Sequence, residues 1–454
     1  MIPNDDTIVA LATPNGIAAI GIIRLSGSKS LDYLTSCFTS SSSISPNTVY
    51  VGNFKDPLSN ETIDKVCVTY FKSPKSYTGE DSAEVHCHSS QYVIKAILNS
   101  FICLGARLAQ SGEFSKRAYM NGKLTLTQSE SVIDLIHSQT KLQHTVSLNR
   151  VEGKLYRHIN LIRNELLNLL EQLEGSIDFP DEVPSINRSL ACKSLESISK
   201  NINHIISLQD LGKSISDGVH CLFLGKPNVG KSSIFNALLG EDRSIVTDTP
   251  GTTRDYISEQ IEYNGIQFTL YDTAGLRHSD DIIEFLGMKK IQSLIKKATI
   301  IIWVCDQSEE LTADDFTVFD HIKHNTNYAI LSNKVDLSLK RSFHIPDAKP
   351  LFQQSCSALS PESLNDFKQS LYEYSVSTYQ DQDLEFLCNV RQFSCIKQLA
   401  SLISNLLTQL KTTFHDDMIA IDLRHCIESC SELTGDSITE EVLDGIFSRF
   451  CVGK

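Results

Sequence analysis

One glycine-rich stretch, residues 225–233, constrains the fold of this chain more than any other feature. It reads Gly-Lys-Pro-Asn-Val-Gly-Lys-Ser-Ser, follows an apolar run at 221–224 and precedes a helical pattern at 234–239. A strand that leads into such a turn and then into a helix points backbone N–H groups, and the positive end of the helix, at a phosphate chain. The stretch therefore predicts a nucleotide-binding α/β domain in which helices flank a parallel sheet.

The positions of this phosphate loop have separate expected roles. Lys231 would reach the β- and γ-phosphates, and the hydroxyl of Ser232 would bind Mg²⁺. A chance turn of the same composition is the alternative, and only further motifs can exclude it. The other loop positions expected to contact the nucleotide are Asn228, Val229, Gly230 and Ser233.

Two further stretches predict contacts to Mg²⁺ and to the γ-phosphate. The run 251–255, Gly-Thr-Thr-Arg-Asp, supplies Thr253, whose hydroxyl can complete the metal shell. Asp272 ends the alternating strand 266–271 and can hold Mg²⁺ through water. It is followed by Thr273, Ala274 and Gly275, and the N–H of Gly275 can bind the γ-phosphate. These stretches predict a nucleoside triphosphate as the ligand.

Base specificity is predicted by the stretch 333–336, Asn-Lys-Val-Asp, which follows the apolar strand 328–331. Asp336 can accept hydrogen bonds from both the ring N–H and the amine of guanine, whereas adenine would present an acceptor to it. Ser357 and Ala358 stand where a loop would support the base. The order and spacing of the five stretches therefore predict a GTP site, which also includes Asn333, Lys334 and Val335.

The residue that orients the attacking water is not evident from these motifs. Leu276 stands where a Ras-like protein would have a glutamine. Glu284 is the candidate replacement, because a carboxylate can orient water through hydrogen bonds. An ordinary surface carboxylate, like its neighbours Asp280 and Asp281, is the alternative that spacing alone favours.

A monovalent cation site is a further candidate feature of the phosphate loop. The amide oxygen of Asn228 and oxygens of a loop folded over it would form a cage suited to K⁺. Such an ion would stand where other GTPases insert an arginine. The simpler interpretation, that Asn228 only shapes the turn, is equally open. Besides Asn228, the K⁺ ligands would come from Thr247, Thr249 and Thr252, and Asp248, Pro250 and Gly251 would contact the nucleotide.

These motifs, taken with the last residues of the sequence, resemble those of one family. The phosphate loop is accompanied by Ile-Val-Thr-Asp-Thr-Pro-Gly-Thr-Thr-Arg-Asp at 245–255, Asp-Thr-Ala-Gly-Leu-Arg at 272–277 and Phe-Cys-Val-Gly-Lys at 450–454. Over essentially its whole length, the chain resembles the bacterial tRNA-modification GTPases of the MnmE (TrmE) family. The resemblance implies a homodimer that hydrolyses GTP. With a flavin- and NADH-dependent partner of the MnmG/GidA type, in a heterotetramer, it would attach a carboxymethylaminomethyl or aminomethyl group to C5 of a tRNA wobble uridine.

The N-terminal third resembles the folate-binding domain of the same family, through runs at 7–14, 21–27, 77–84 and 112–124. The resemblance implies that formyl- or methylene-tetrahydrofolate carries the one-carbon unit. A carboxylate suits the pterin N–H edge, and cations suit a glutamate tail. The resemblance also gives Cys451 a catalytic role, whereas a small apolar residue at the end of a buried helix is the alternative. The folate contacts that it implies are Arg24, Glu84, Lys123 and Lys454.

Hydrophobic periodicity indicates how the chain is organised. Residues 1–120 mix short strands with a helix near 91–98, and helical spacing begins near residue 124. The proline-containing run 178–184 separates a first helical stretch from a second. The run Ser-Ile-Thr-Glu at 437–440 predicts a capping box for the last helix. We expect an α+β folate-binding domain at 1–120, helical parts at 121–212 and 378–454 that pack together, and a Ras-like GTPase domain at 213–377 inserted between them.

Charge and composition limit the classes of function. The chain has 41 basic and 55 acidic residues, so it is not expected to coat tRNA alone, and a partner would supply much of the grip. The first residues lack a basic region before an apolar stretch, and the longest apolar run, 300–305, is too short to span a bilayer. A cytoplasmic protein is expected. The 13 cysteines include no Cys-x-x-Cys pair, which argues against a zinc knuckle or a redox motif, and their odd number argues against a closed disulfide framework.

A switch GTPase that binds RNA or the ribosome without modification chemistry is the main alternative function. The folate-domain motifs and the Cys-Val-Gly-Lys run argue against it. A helical scaffold with a degenerate nucleotide site is a third interpretation. It is disfavoured because Lys231, Ser232, Asp272 and Asp336 are all present.

Overall fold

The computed structural model describes residues 6–39, 43–241, 257–272, 292–323, 327–337, 349–376, 381–412, 415–437 and 439–454. The chain divides into two compact units. The first joins Met1–Ile133 to Arg150–Ser199 and Ser394–Lys454, and the second joins Asp134–Asn149 to Lys200–Phe393. The first unit combines helices with a mostly antiparallel sheet, and the second has a mostly parallel sheet. The predicted fold class is therefore confirmed, while the predicted domain boundaries stay a prediction.

The secondary-structure elements have the following bounds. The strands are β1 Ile8–Leu11, β2 Ala18–Ser26, β3 Phe38–Thr39, β4 Val49–Lys55, β5 Thr62–Phe71, β6 Ser82–Ser89, β7 Arg107–Leu108, β8 Val219–Leu224, β9 Ile257–Tyr263, β10 Ile266–Asp272, β11 Ile300–Asp306, β12 Tyr328–Asn333 and β13 Gln353–Ser355. The helices are α1 Ser30–Cys37, α2 Gln91–Cys103, α3 Glu113–Met120, α4 Leu126–His137, α5 Lys141–Val151, α6 Lys154–Asp178, α7 Arg188–Ser207, α8 Gln209–Ser216, α9 Lys231–Glu241, α10 Ala313–Ile322, α11 Pro361–Ser375, α12 Val390–Lys411, α13 Asp416–Thr434 and α14 Glu440–Phe447.

The first unit is built around a sheet with the strand order β3-β4-β5-β6-β2-β1-β7. Neighbouring strands are antiparallel except for β1 and β7. Alternation along β6 places Ala83, Val85 and Cys87 in the core, where they meet apolar residues of α1 and α2. The helix predicted near residue 91 is confirmed as α2, and its N-cap Ser90 accepts a hydrogen bond from the Val93 N–H at 3.1 Å.

The helical spacing predicted after residue 124 is confirmed most clearly in α6. This helix ends at Asp178, and α7 begins at Arg188, so the proline-containing run does separate two helices. On its outer side, Glu174 pairs with Arg424 of α13 at 2.6 Å. The apolar stripe of α6 is buried and consists of Leu155, Ile159, Ile162, Leu166, Leu170 and Leu173.

The capping box predicted at 437–440 is wrong. The last helix, α14, begins at Glu440, and its N-cap Thr439 makes no side-chain capping hydrogen bond. The reason lies in the preceding turn, where Gly435 adopts a left-handed φ of 97° and ends α13. The N–H of Ser437 then bonds back to the carbonyl of Ser431 at 3.4 Å, so Ser437 lies in the turn that follows α13 and is not the N-cap of α14.

The second unit is built around a sheet with the strand order β13-β12-β11-β8-β10-β9, in which only β9 and β10 are antiparallel neighbours. The strand predicted at 300–305 is confirmed as the fully buried central strand β11. Its alternate residues enter two apolar clusters, with Ile302 in one and Trp303 in the other. The first cluster includes residues of α9 and α11, and the second includes residues of α10. Helices therefore cover both faces of the sheet. None of the described helices is long and apolar enough to cross a membrane.

Candidate functional site

The predicted nucleotide residues that the structure describes lie at one edge of the sheet in the second unit. The phosphate loop follows β8, Asp272 ends β10, Asn333 ends β12, and Ser357 lies just after β13. These four strands are parallel, so their carboxyl ends meet at the same edge. Open α/β sheets bind ligands at this edge.

The phosphate loop curls between β8 and α9 and holds its own lysine. Asn228 and Gly230 have left-handed φ angles of 63° and 92°, which turn successive backbone N–H groups toward the mouth of the loop. Lys231 is 7% exposed, and its Nζ donates to the carbonyl oxygens of Gly225 at 2.9 Å and Lys226 at 2.8 Å. The ammonium group is therefore positioned by the main chain of the loop. Asn228, Ser232 and Ser233 are exposed at the surface.

Gly230 and Asn333 join the phosphate loop to the guanine loop. The amide Nδ2 of Asn333 donates to the carbonyl of Val229 at 2.8 Å, and the side chain is almost completely buried. A Cβ atom at Gly230 would collide with this Nδ2 atom, so a side chain does not fit there. The asparagine thus fixes the distance between the two loops.

The predicted Mg²⁺ ligands Ser232 and Asp272 are adjacent. The Ser232 hydroxyl donates to Oδ2 of Asp272 at 2.9 Å. Ser232 is the second residue of α9, after Lys231, whereas Asp272 is buried at the end of β10. Hydroxyl and carboxylate oxygens are the ligands that Mg²⁺ prefers, so this pair fits an ion held directly by the serine and through water by the aspartate.

The predicted base-recognition residues are also brought together. The hydroxyl of the buried Ser357 donates to Oδ1 of Asp336 at 2.6 Å. The Val335 N–H contacts the carbonyl of Cys356 at 3.4 Å, and Ala358 is half-buried beside Ser357. Asp336 itself is exposed, and a carboxylate has enough lone pairs to accept from guanine while bonded to Ser357.

The sequence analysis missed one residue of this site, Asp306, which is the partner of Lys334. Lys334 has a left-handed φ of 65°, and its Nζ lies 2.5 Å from Oδ2 of Asp306. Burial alone would raise the pKa of Asp306, but hydrogen bonds from Lys334 and Ser308 lower it below its usual value. The sequence signal was available, because Asp306 ends an apolar strand in the same way as Asp272.

Part of the predicted nucleotide site lies outside the described residues. These predictions concern the second Mg²⁺ ligand, the K⁺ cage, the γ-phosphate contacts and the water-orienting carboxylate. The residues in question are Thr247, Asp248, Thr249, Pro250, Gly251, Thr252, Thr253, Thr273, Ala274, Gly275 and Glu284.

Three of the four predicted folate residues come together in the first unit. Arg24 of β2 and Glu84 of β6 are partners in the sheet register, and Nε of Arg24 donates to Oε1 of Glu84 at 3.0 Å. Nη1 of Arg24 also lies 3.4 Å from the carbonyl oxygen of Gly453. Burial, followed by the charge of Arg24, lowers the pKa of Lys454 below its usual value. Arg24, Glu84 and Lys454 therefore form one polar site, called the tail site below.

The backbone of residues 450–454 explains how the tail reaches this site. Gly453 has a left-handed φ of 96°, and a Cβ atom there would collide with the carbonyl oxygen of Leu11. Val452 forms an antiparallel bridge with Ser111. Cys451 is exposed, and α14 has already ended at Phe447. The interpretation of Cys451 as an apolar residue at the end of a buried helix is therefore wrong.

Lys123 makes its described contacts with residues other than those of the tail site. Its Nζ donates to the carbonyl of Pro74 at 3.0 Å. It lines a cavity of about 400 Å³ together with Tyr119, Gln128 and Asp436. Within the described part of the first unit, no hydrogen bond or ion pair joins Lys123 to the other three predicted folate residues.

An ion network around the buried Arg117 connects the stretches 77–84 and 112–124. Arg117 is 5% exposed, and its guanidinium lies 2.6 Å from Asp6, 3.1 Å from Glu80 and 3.0 Å from Glu113. Arg107 pairs with the same Asp6 and Glu113, each at 2.6 Å. The sequence analysis identified the stretches but none of these pairs. A buried charge is costly unless it is paired, so the buried Arg117 depends on these carboxylates.

The fold and the phosphate and guanine loops define the second unit as a P-loop GTPase domain. A family model described as "MnmE helical domain" matches residues 126–451, and one described as "GTP-binding protein TrmE N-terminus" matches residues 7–123. The chain therefore belongs to the MnmE family of tRNA modification GTPases, and the resemblance predicted from its motifs is confirmed.

Individual relatives support this assignment over the full length. The chain is 37% identical to the tRNA modification GTPase MnmE of Alkaliphilus metalliredigens, and the match covers 99% of both chains. It is 36% identical to MnmE of Aquifex aeolicus and 33% identical to MnmE of Bacillus subtilis, each over 99% of this chain and 100% of the relative. Among solved structures, the G domain of the T. maritima FeoB iron transporter is 22% identical, with 35% of this chain and 98% of that chain covered and a TM-score of 0.25.

Proposed function

We propose that this chain hydrolyses GTP to drive the attachment of a carboxymethylaminomethyl or aminomethyl group to C5 of a tRNA wobble uridine. The observation that carries the proposal is the full-length match to relatives named tRNA modification GTPase MnmE, which covers 99% of this chain. The meeting of the phosphate, metal and guanine loops at one sheet edge supports the hydrolytic part. The modification itself would take place in the cytoplasm with tRNA as substrate.

The hydrolytic step rests on charge stabilisation by the second unit. Lys231 and the N–H groups of the phosphate loop would bind the β- and γ-phosphates, while Asp336 and Ser357 hold the guanine. Ser232 and Asp272, whose oxygens lie 2.9 Å apart, would hold Mg²⁺ together with Thr253. When bound, this ion neutralises charge that develops on the phosphate oxygens.

The attacking water and the second cation are assigned from the sequence motifs. Glu284 would orient the water, and Asn228, Thr247, Thr249 and Thr252 would hold K⁺. If these assignments hold, hydrolysis is much faster in KCl than in NaCl at equal ionic strength. Glu284→Ala would then lose turnover with little loss of GTP affinity. Equal rates in the two salts would contradict the K⁺ assignment and leave the GTPase assignment intact.

The first unit would bind a tetrahydrofolate derivative that supplies the one-carbon unit. Arg24, Glu84 and Lys454 offer a carboxylate and two cations in one place, which suits a pterin edge and a glutamate tail. Lys123 is assigned to the same ligand by the family resemblance, although its described contacts are elsewhere. The exposed thiol of Cys451 lies next to the tail site, and we assign it a catalytic role on the substrate.

A partner would supply the redox chemistry and part of the tRNA contact. A flavoprotein of the MnmG/GidA type, with FAD and NADH, fits the reaction that the family performs. The net charge of −14 gives this chain little general attraction for a nucleic acid. We infer a homodimer of this chain that joins two copies of the partner.

Nucleoside analysis of tRNA tests the proposal. Cells that lack this chain should lose the modified wobble uridine and regain it when the wild-type chain is returned. Lys231→Ala should not restore it, whereas Lys323→Ala, at an exposed ion pair of the same unit, should restore it fully. Unchanged nucleosides in the deleted strain would instead favour the switch GTPase that binds RNA or the ribosome.

A further inference from the structure

Lys226 of the phosphate loop forms ion pairs with two residues outside the five nucleotide stretches. The Lys226 side chain is 13% exposed, and its Nζ lies 3.0 Å from Oδ2 of Asp315 and 3.5 Å from Oε2 of Glu309. Lys226 is therefore a charged anchor between the loop and α10.

Asp315 is itself held firmly by the first turn of α10. It is 1% exposed, and its Oδ2 accepts from the N–H of Thr312 at 2.9 Å and from the Thr312 hydroxyl at 2.8 Å. The bond from the Thr312 N–H belongs to a capping box between Thr312 and Asp315. The other oxygen of Asp315, Oδ1, is buried and has no hydrogen-bond partner among the described residues. A carboxylate in these surroundings depends on its cation, so the contact with Lys226 is not a weak surface pair.

The same residue that carries this anchor also positions the phosphate-binding lysine. The main-chain carbonyl of Lys226 accepts a hydrogen bond from Nζ of Lys231 at 2.8 Å. A path of direct contacts thus runs from α10 through Asp315 and Lys226 to the ammonium group that binds the β- and γ-phosphates. A shift of the Lys226 backbone would move that ammonium group.

The other end of the connection between β11 and α10 contacts the guanine loop. Asp306 is 5% exposed and pairs with Lys334 at 2.5 Å, while the N–H and hydroxyl of Ser308 donate to its second oxygen at 2.9 and 2.6 Å. The N–H of Gln307 donates to the carbonyl of Asn333 at 2.8 Å. Residues 306–315 include none of the five nucleotide stretches, yet they contact both loops.

We propose that residues 306–315 position the two nucleotide loops for GTP hydrolysis, Asp315 through Lys226 and Asp306 through Lys334. Both aspartates are positioning residues, because neither is placed to touch the nucleotide. The Asp315 arm acts where negative charge develops in the transition state, so its loss should lower kcat more than affinity. The Asp306 arm acts on the base loop, so its loss should lower affinity and base discrimination.

GTP hydrolysis and GDP binding by the full-length chain test the first arm. Lys226→Met should lower kcat about 10-fold and change GDP affinity less than about 3-fold, while Lys226→Arg should retain most of the activity. Lys323→Met is the matched control, because it removes the exposed pair with Asp320 at 2.8 Å in the same helix. It should leave kcat unchanged. Wild-type kcat in Lys226→Met, or an equal loss in the control, would overturn the first arm.

The second arm is tested by comparing GDP with IDP, which lacks the exocyclic amine. Asp306→Asn should weaken GDP binding about 10-fold and reduce the preference for GDP over IDP, with kcat at saturating GTP within about 2-fold of wild type. An unchanged preference for GDP over IDP would contradict the second arm.

If Lys226→Met does not fold, Asp315→Asn tests the first arm instead, because its amide oxygen still accepts a hydrogen bond from Thr312. Wild-type behaviour of the folded variants, in a chain that hydrolyses GTP, would overturn the positioning role and leave the proposed function standing.

Discussion

The nucleotide site of the second unit is built from the ends of neighbouring strands, whereas the tail site of the first unit is built from distant parts of the chain. Asp272 and Asn333 each end a parallel strand and therefore reach the same edge. Arg24 and Gly453, by contrast, are 429 positions apart in the sequence and meet only because residues 450–454 fold back onto β1 and β2. The difference shows that regular structure can place a site by itself, while a long-range site needs its own supporting contacts.

The two regions also differ in how their polar groups are satisfied. Ser232 and Asp336, which would bind the metal and the base, are exposed at the surface and have lone pairs left for a ligand. Arg117 is buried and already bonded to three carboxylates. Removing a residue from the nucleotide site should therefore cost binding, and removing one from the ion network should cost stability.

The largest expected effect is the loss of stability when the ion network of the first unit is broken. Arg117→Leu leaves the carboxylates of Asp6, Glu80 and Glu113 without one of their cations, and should lower the free energy of unfolding by about 3–5 kcal/mol. Urea unfolding measures the loss, and hydrogen exchange in α3 assigns it to the first unit. Lys116→Ala, next in the sequence, removes only a pair with the exposed Asp444 and should cost about 0–1 kcal/mol. Equal stability of the two variants would contradict the proposed role of the network.

The next largest effect is on nucleotide binding by Asp336→Asn, which should leave the stability of the protein almost unchanged. Asp336→Asn should weaken GTP binding about 100-fold, because two hydrogen bonds from guanine to a charged acceptor are lost. The amide can donate to the additional oxygen of xanthine, so xanthosine triphosphate should become the preferred nucleotide. Nucleotide titrations test both changes. The matched variant Ser357→Ala, which removes only the hydrogen bond to the carboxylate at 2.6 Å, should weaken GTP binding less and keep the preference for guanine.

The comparison also explains how much was predictable from the sequence. The position of the nucleotide site at the sheet edge was predictable, because Asp272 and Asn333 follow apolar runs that periodicity identifies as strands. The α+β and helical regions followed from the same periodicities, and the burial along α6 agrees with them. The assignment of Arg24 and Glu84 to one ligand came only from the family resemblance, and their ion pair was not predicted. No spacing rule connects two charged residues on separate strands.

Other features were missed or mistaken for identifiable physical reasons. The partners of Arg117 escaped prediction because ion pairing leaves no periodic signal, and Asp6 is 111 positions away. The capping box at 437–440 was wrong because the left-handed Gly435 ends α13 and the N–H of Ser437 bonds back to the carbonyl of Ser431. The exposure of Cys451 was missed because the turn after α14 depends on contacts with Ser111 and Leu11.

A smaller effect, on folate binding, is expected at the tail site. Deleting Gly453 and Lys454 should weaken binding of formyl-tetrahydrofolate about 10-fold, because a charge-assisted contact is lost, and should leave the rate of GTP hydrolysis unchanged. Gly453→Ala should weaken it as well, since the left-handed φ of 96° and the close Leu11 carbonyl exclude a side chain. Val452→Ala, at a side chain that is 54% exposed, is the control and should bind folate normally. Full folate affinity in the truncated chain would remove the tail from the site.

The smallest expected effect is a change in the pH dependence of stability. Burial alone would raise the pKa of Glu113, but hydrogen bonds from Arg107, the Gln110 N–H and Arg117 lower it below its usual value. A carboxyl whose folded pKa is lowered stabilises the fold at pH values above its unfolded pKa of about 4.3. That contribution disappears as the pH falls through the folded pKa.

Glu113→Gln cannot take up this proton, so the stability of its first unit should fall less steeply between about pH 5 and pH 3 than that of the wild type. Asp306 in the second unit also has a lowered pKa, which makes global unfolding ambiguous. Hydrogen exchange of the α3 amides, measured at several pH values and corrected for the intrinsic rate, reports the first unit alone. Glu61→Gln at an exposed carboxylate should keep the wild-type slope. If Glu113→Gln also keeps that slope, the ion network does not stabilise the first unit through this carboxylate, and the contrast between the two regions weakens.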